Sequence, residues 1–351
     1  MNDLNPRDVR KGVILLAHGA PDRLEDIPAF VRNVRSGRPL PPAAVEEITE
    51  HYRLISAREG AEPGEASPLT RLTLRQAAAL QARLGLPVLV GMRNWDPYIV
   101  EAVQQAAEQG LDHVTAICLA PQNSRTSVGL YRQHLEDARL KAAPGLAVKF
   151  VESWHDHPGL IAALGERLKA ALKQAGSPSE AEDASKREGG ASVPVIFTAH
   201  SGPERTIRDG DPYADQVRRT ASLVAEAAGR DITSWSLAFQ SQGMTPEPWI
   251  GPTVESEIDR WAADGRRRLV VAPVGFMCDN VEVLYDIDIV FRKYAKKKGI
   301  TLFRPESLND SPLFIEALAD LVDRALHTKG ASTQGEQDLS TSPNEQLCKA
   351  S

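Results

Sequence analysis

Val195-Ile196-Phe197-Thr198-Ala199-His200-Ser201-Gly202-Pro203 has a near copy in the first half of the chain, Val13-Ile14-Leu15-Leu16-Ala17-His18-Gly19-Ala20-Pro21. Each is an apolar run, then Ala-His, two small residues and a proline. A continuous apolar run marks a strand buried on both faces, as in parallel sheets. The carboxyl end of such a strand is where open α/β sheets place ligands. The two histidines are therefore expected to face one cleft from two halves.

The repeat extends further. Glu152-Ser153-Trp154-His155-Asp156-His157-Pro158 matches Glu306-Ser307-Leu308-Asn309-Asp310-Ser311-Pro312 in four positions at identical spacing. The segments Leu119-Ala120-Pro121 and Val271-Ala272-Pro273 correspond as well. Three matched motifs in one order point to an internal duplication.

Apolar runs alternate with segments of helical spacing throughout both halves, with crossover lengths that join parallel strands. The expected fold is α/β: two Rossmann-like lobes, each a doubly wound, four-stranded parallel sheet flanked by helices. Residues 1–11 read as a tail and 12–175 as the first lobe, with a lid region at 35–68. Residues 176–192 hold no large apolar side chain and read as a flexible linker. The second lobe spans 193–327, and the polar segment 328–351 reads as a disordered tail. Residues 281–298 read as one α-helix that starts at the cleft.

A chain of 351 residues is long enough for two cores. Its net charge of −6 argues against a nucleic-acid surface, which needs clustered cations. No apolar stretch approaches the ~20 residues of a membrane span, and no secretory signal opens the chain. Cys118, Cys278 and Cys348 are too scattered for a disulfide framework. Cys118, within an apolar strand, reads as inert core. These features predict a cytoplasmic protein without integral membrane contact, and two lobes enclosing one cleft are compatible with a monomer.

A strand-end histidine is most often just a hydrogen-bonded packing residue. The position of His200 at a sheet edge, with a twin in His18, favours chemistry. Neutral imidazole accepts a proton near neutral pH or binds a metal. Glu282 and Asp286, four apart in Gly275-Phe276-Met277-Cys278-Asp279-Asn280-Val281-Glu282-Val283-Leu284-Tyr285-Asp286, project from one helical face. Acids at a helix start ordinarily complement its dipole. Beside His200, the same acids make a site suited to Fe²⁺ or Zn²⁺. Trp249 offers a flat apolar face in a proline-rich loop, or packs half-buried.

In order, His200 to Glu204, Asp211 to Tyr213, Gln240 to Pro252 and Val274 to Asp286 resemble the ferrochelatases. The resemblance runs from about Gly12 to Leu326, and its second-lobe motifs are highly specific. It implies insertion of Fe²⁺ into a porphyrin in haem synthesis, by an enzyme without an organic cofactor. His200 and Glu282 match the family's metal-site and catalytic pair, with Asp286 and Asp288 on the acidic helix behind it. Gly37-Arg38-Pro39, His51-Tyr52 and Ser67-Pro68-Leu69 resemble the coproporphyrin III type. That type carries a tyrosine in place of His18, so the resemblance makes His18 an axial ligand of product iron. Arg35, His51, Tyr52, Ser67, Tyr131 and Trp249 fall at porphyrin-contact positions, and His51 stands where an arginine is usual. With Cys348 alone in the tail, no iron–sulfur cluster is expected. Protoporphyrin IX is the alternative substrate, and a non-catalytic tetrapyrrole carrier the alternative class. The product implies a downstream haem-pathway acceptor.

Overall fold

A computed structural model describes residues 9–176, 193–230, 234–243 and 246–327. Most of the expected linker and the whole tail, with Cys348, lie outside the described residues. The first half contains β1 (Lys11–Ala17), α1 (Ile27–Val34), α2 (Pro42–Ser56), α3 (Leu69–Leu84), β2 (Val88–Met92), α4 (Ile99–Glu108), β3 (His113–Cys118), α5 (Val128–Ala142), β4 (Ala147–Val151) and α6 (Pro158–Gly176). The second contains β5 (Val195–His200), α7 (Glu204–Arg208), α8 (Tyr213–Ala227), β6 (Trp235–Gln240), α9 (Val254–Ala263) and β7 (Arg268–Pro273). A π-helix (Glu282–Phe291), α10 (Arg292–Lys297), β8 (Thr301–Phe303) and α11 (Pro312–His327) complete it.

Both sheets are parallel, ordered β2-β1-β3-β4 and β6-β5-β7-β8. Renumbered from its own first strand, the second order is identical to the first, as the duplication predicts. In each sheet the strand order reverses beside the first strand, the switch point at which α/β proteins bind ligands. Val13 to Leu16 and Val195 to Phe197 are fully buried, so helices cover both faces.

The last helix of each half packs against the other half. Helix α6 lies on α8, β7 and β8, whereas α11 lies on α3 and β3. Each exchanged helix is received in the same way. Arg268 Nη1, at the start of β7, donates to the Ala175 carbonyl near the end of α6 at 2.7 Å. Lys149 Nζ, on β4, donates to the Ala325 carbonyl near the end of α11 at 2.6 Å. A cation at a helix carboxyl end meets unpaired carbonyls and the negative end of the dipole. Trp154 and Phe314 stack where the halves meet, and one apolar cluster runs from β1 through both helices to β5. The lobes expected from sequence therefore share a core, which resists hinge motion.

The helix expected over 281–298 is a π-helix from Glu282 to Phe291. Side chains fall into strips spaced by four. Val283, Ile287 and Phe291 enter the core of the second sheet. Val281, Tyr285 and Ile289 meet the α1–α2 segment. Glu282 and Asp286 face the cleft. An α-helix at 3.6 residues per turn would rotate such strips by about 40° per step. The wider i→i+5 turn brings a step of four residues closer to one full turn and so lessens that drift.

Candidate active site

The cleft is a cavity of about 650 Å³ lined from both halves. His18 is followed by Gly19 with φ +82°, a left-handed turn in which any Cβ would strike Trp95 at 2.9 Å. His200 is the last residue of β5. Both switch points open into this one cavity: Cys118 to Ala120 leave β3 beside His18, and Gly275 to Cys278 follow β7 beside His200.

The His200 backbone is held by the Asp211-Pro212-Tyr213 motif. Tyr213 Oη donates to the His200 carbonyl at 2.9 Å. The Asp211 carboxylate accepts from Ser124 Oγ and Arg125 N of the first half and from Tyr213 N. His200 Nδ1 donates to the Ser201 carbonyl. In the neutral ring that leaves Nε2 with its lone pair, 3.6 Å from Glu282 Oε1. Burial raises the Glu282 pKa, and His200 partly opposes the shift. Asp286 is raised to about 6, chiefly by burial, although Ser241 Oγ donates to it at 2.5 Å. Gln240 Nε2 donates to the Glu282 carbonyl at 2.8 Å, tying β6 to the π-helix.

His18 faces the same cavity. Its Nδ1 donates to the Gly19 carbonyl at 2.9 Å and its Nε2 accepts from Asn94 Nδ2 at 3.0 Å. Burial first and Arg93 second lower its pKa to about 4, so the ring is neutral near pH 7. Although its side chain is exposed to the cavity, protein packs behind it, which is why desolvation dominates.

Arg35, His51, Tyr52, Ser67 and Tyr131 all line the cavity. Tyr131 is buried with the Arg93 guanidinium 5.0 Å from its ring centre. Ser67 Oγ accepts from Leu69 N at the start of α3. His51 stacks on Tyr285 of the π-helix, ring centres 3.8 Å apart. The α2 part of the expected lid is thus packed on the π-helix, and the loop after it is anchored by Ala66 N donating to Asp22 O at 2.7 Å.

Two of the expected residues do not line the cavity. Trp249 is not among the cavity-lining residues; its ring fills the space beside Gly243, where a Cβ would lie 2.5 Å from it. Asp288 lies on a different strip from Glu282 and pairs with Arg304 at 2.8 Å and Arg292 at 3.2 Å. Its charge is spent in that network. Sequence reading overlooked Asn94 and Ser241, although each lies just beyond a strand next to a histidine-bearing one. Cys118 and Cys278 are buried and unpaired, with burial pushing each thiol up to about 12.

Two duplicated Rossmann-like lobes with an imidazole and a carboxylate at their shared cleft define a metal chelatase. The chain belongs to the ferrochelatase family: the family model Ferrochelatase matches residues 10–326. A Ferrochelatase from Acidobacterium capsulatum is 46% identical over 92% of this chain and 97% of its own. A Coproporphyrin III ferrochelatase from Halalkalibacterium halodurans is 34% identical over 91% of this chain and 98% of its own. In fold, the chain is similar to SirB from Bacillus subtilis with Fe³⁺, at a TM-score of 0.51 and 11% identity, covering 90% of this chain and 96% of that one. Among the described residues no helix is long and apolar enough to cross a membrane.

Proposed function

We propose that this ferrochelatase inserts Fe²⁺ into coproporphyrin III, giving iron coproporphyrin, with His200 and Glu282 as the residues that handle metal and protons. The 3.6 Å separation of His200 Nε2 and Glu282 Oε1 carries the site assignment. Bonds of about 2.1 Å from both atoms would meet on one ion at about 118°, near the tetrahedral angle. Among the described residues no group of three or more His, Cys, Asp or Glu converges to hold a metal. Two protein donors suit a cargo ion, because the remaining positions stay open to water and then to pyrrole nitrogens.

Insertion requires loss of two pyrrole protons and a bent macrocycle whose lone pairs meet the ion. Residues of both halves grip the ring from its periphery, so remote contacts support the distortion. His200 Nε2 accepts one proton. Glu282 accepts the other or ligates the ion, and Asp286, on the same strip, passes protons toward Ser241. His18 faces the metal from the other side. No organic cofactor enters this chemistry.

The choice of coproporphyrin rests on the coproporphyrin III ferrochelatases among the relatives near 34% identity and on hydroxyls from Ser67, Ser127 and Tyr131 in the wall. Protoporphyrin IX is the second reading. It is favoured by Arg35 being the one Lys or Arg among the described lining residues, since protoporphyrin has two propionates and coproporphyrin four. Anaerobic turnover of both porphyrins with Fe²⁺ tests the choice. A higher kcat/KM for coproporphyrin is expected, and the reverse order would overturn the assignment.

A further inference from the structure

The twin histidines present opposite faces of the same chemistry. In each, Nδ1 donates to the carbonyl of the next residue. A carbonyl only accepts, so in the neutral ring Nδ1 carries the hydrogen and Nε2 the single in-plane lone pair. At His200 that lone pair looks toward a carboxylate 3.6 Å away. At His18 it is already taken, by the Asn94 side-chain amide at 3.0 Å.

We propose that Asn94 withholds the His18 lone pair from iron, so that His18 ligates the metallated porphyrin only when the amide lets go. Asn94 is a positioning residue that keeps the product's axial bond weak. The inference rests on the reading of His18 as a ligand of product iron.

Asn94 is well placed to hold its amide there. It is 5% exposed. Its backbone N donates to the His18 carbonyl at 3.0 Å, and its own carbonyl accepts from Asn33 Nδ2 at 3.2 Å. The side chain is therefore set at the level of the ring by two backbone bonds. The amide must present its NH₂ to the ring, because the Gly19 contact has already assigned the ring hydrogen to Nδ1. The consequence is directional. The half carrying His200 and Glu282 offers a free lone pair to the arriving ion. The half carrying His18 offers one only in competition, which favours release of a metallated ring over its retention.

The test uses the full chain with ferric coproporphyrin III and ferric protoporphyrin IX as probes. Soret position, electron paramagnetic resonance and release to an excess of haem scavenger are recorded for wild type, His18→Ala, Asn94→Ala and Asn94→Asp. Asn94→Ala is expected to strengthen imidazole ligation and slow iron-porphyrin release by roughly three- to tenfold, the worth of one hydrogen bond. Release of metal-free porphyrin stays unchanged. Asn94→Asp is expected to act in the opposite sense. Its carboxylate only accepts, so it draws a hydrogen onto Nε2 and moves the spectrum to that of His18→Ala. General loosening of the site would not give opposite signs at one position. Should Asn94→Ala melt below the assay temperature, Asn94→Ser, too short to reach the ring, replaces it. If both Asn94 variants match wild type while His18→Ala differs, competition is overturned and the ligand role survives. If His18→Ala itself matches wild type, the ligand role is overturned and the competition with it.

Discussion

Replacing Ser241 by alanine deletes one hydroxyl and leaves the Asp286 carboxylate without its 2.5 Å donor. A hydrogen bond to a charged group contributes about 1.5–3 kcal/mol. At about 1.36 kcal/mol per pKa unit, that is a rise of about one to two units. The Asp286 pKa, already raised to about 6 by burial, should move to between about 7 and about 8 on that conversion. If Asp286 passes protons in its ionised form, the acid limb of kcat/KM for iron insertion shifts up by the same amount. The assay is anaerobic Fe²⁺ insertion from about pH 5 to about pH 9, repeated in an Asp286→Asn background where the shift should vanish. Stability follows the same sign. Asp286 has a folded pKa above its unfolded value, so its favourable contribution is present below about pH 4 and lost as pH rises through about 6. The alanine variant should therefore be near wild type in stability at low pH and weaker above pH 6. Ser241 sits at φ +58°, so Ser241→Gly should give the same rate shift while recovering about 1 kcal/mol of backbone strain. An acid limb that stays in place in both variants refutes the relay.

Three further outcomes are expected. Glu282→Gln keeps the shape but removes the charge, so insertion should fall by about two to four orders of magnitude while porphyrin binding, followed by fluorescence quenching, persists. Phe314→Ala, at the fully buried contact with Trp154, should cost about 3–5 kcal/mol; because the halves share a core, calorimetry should show one earlier transition rather than two. His18 has a folded pKa near 4, below its unfolded value, so its contribution is present above about pH 6.5 and lost as pH falls through about 4. His18→Leu should accordingly flatten the acid side of the stability profile in denaturant titrations.

The buried strands were legible because a strand covered on both faces needs an unbroken apolar run, and the duplicated motifs located both switch points. Pairing of Glu282 with Asp286 was legible from spacing, since residues four apart share a face in either helix type. What hid Asp288 was a side chain outside the local pattern: Arg304, on the far side of β8, claims its charge. The π-helix was hidden because its width answers to three surroundings at once, the second core, the α1–α2 segment and the cleft. Asn94 and Ser241 are small polar residues beside strand ends, and only the fold shows which imidazole or carboxylate each one touches. An aromatic in a proline-rich loop such as Trp249 fits a ligand wall and a packing plug equally well, and only the fold shows its ring packed beside Gly243.

The exchange of α6 and α11 bears on where such a chain comes from. A half that ends in a helix shaped for another half's sheet cannot cover its own apolar face. Two copies of that half would complete each other as a symmetric dimer, with one histidine from each copy facing a common cleft on the two-fold axis. Joining the copies end to end preserves that closure and breaks the symmetry. One histidine is then free to acquire an acidic neighbour and the other an amide, which identical subunits cannot do.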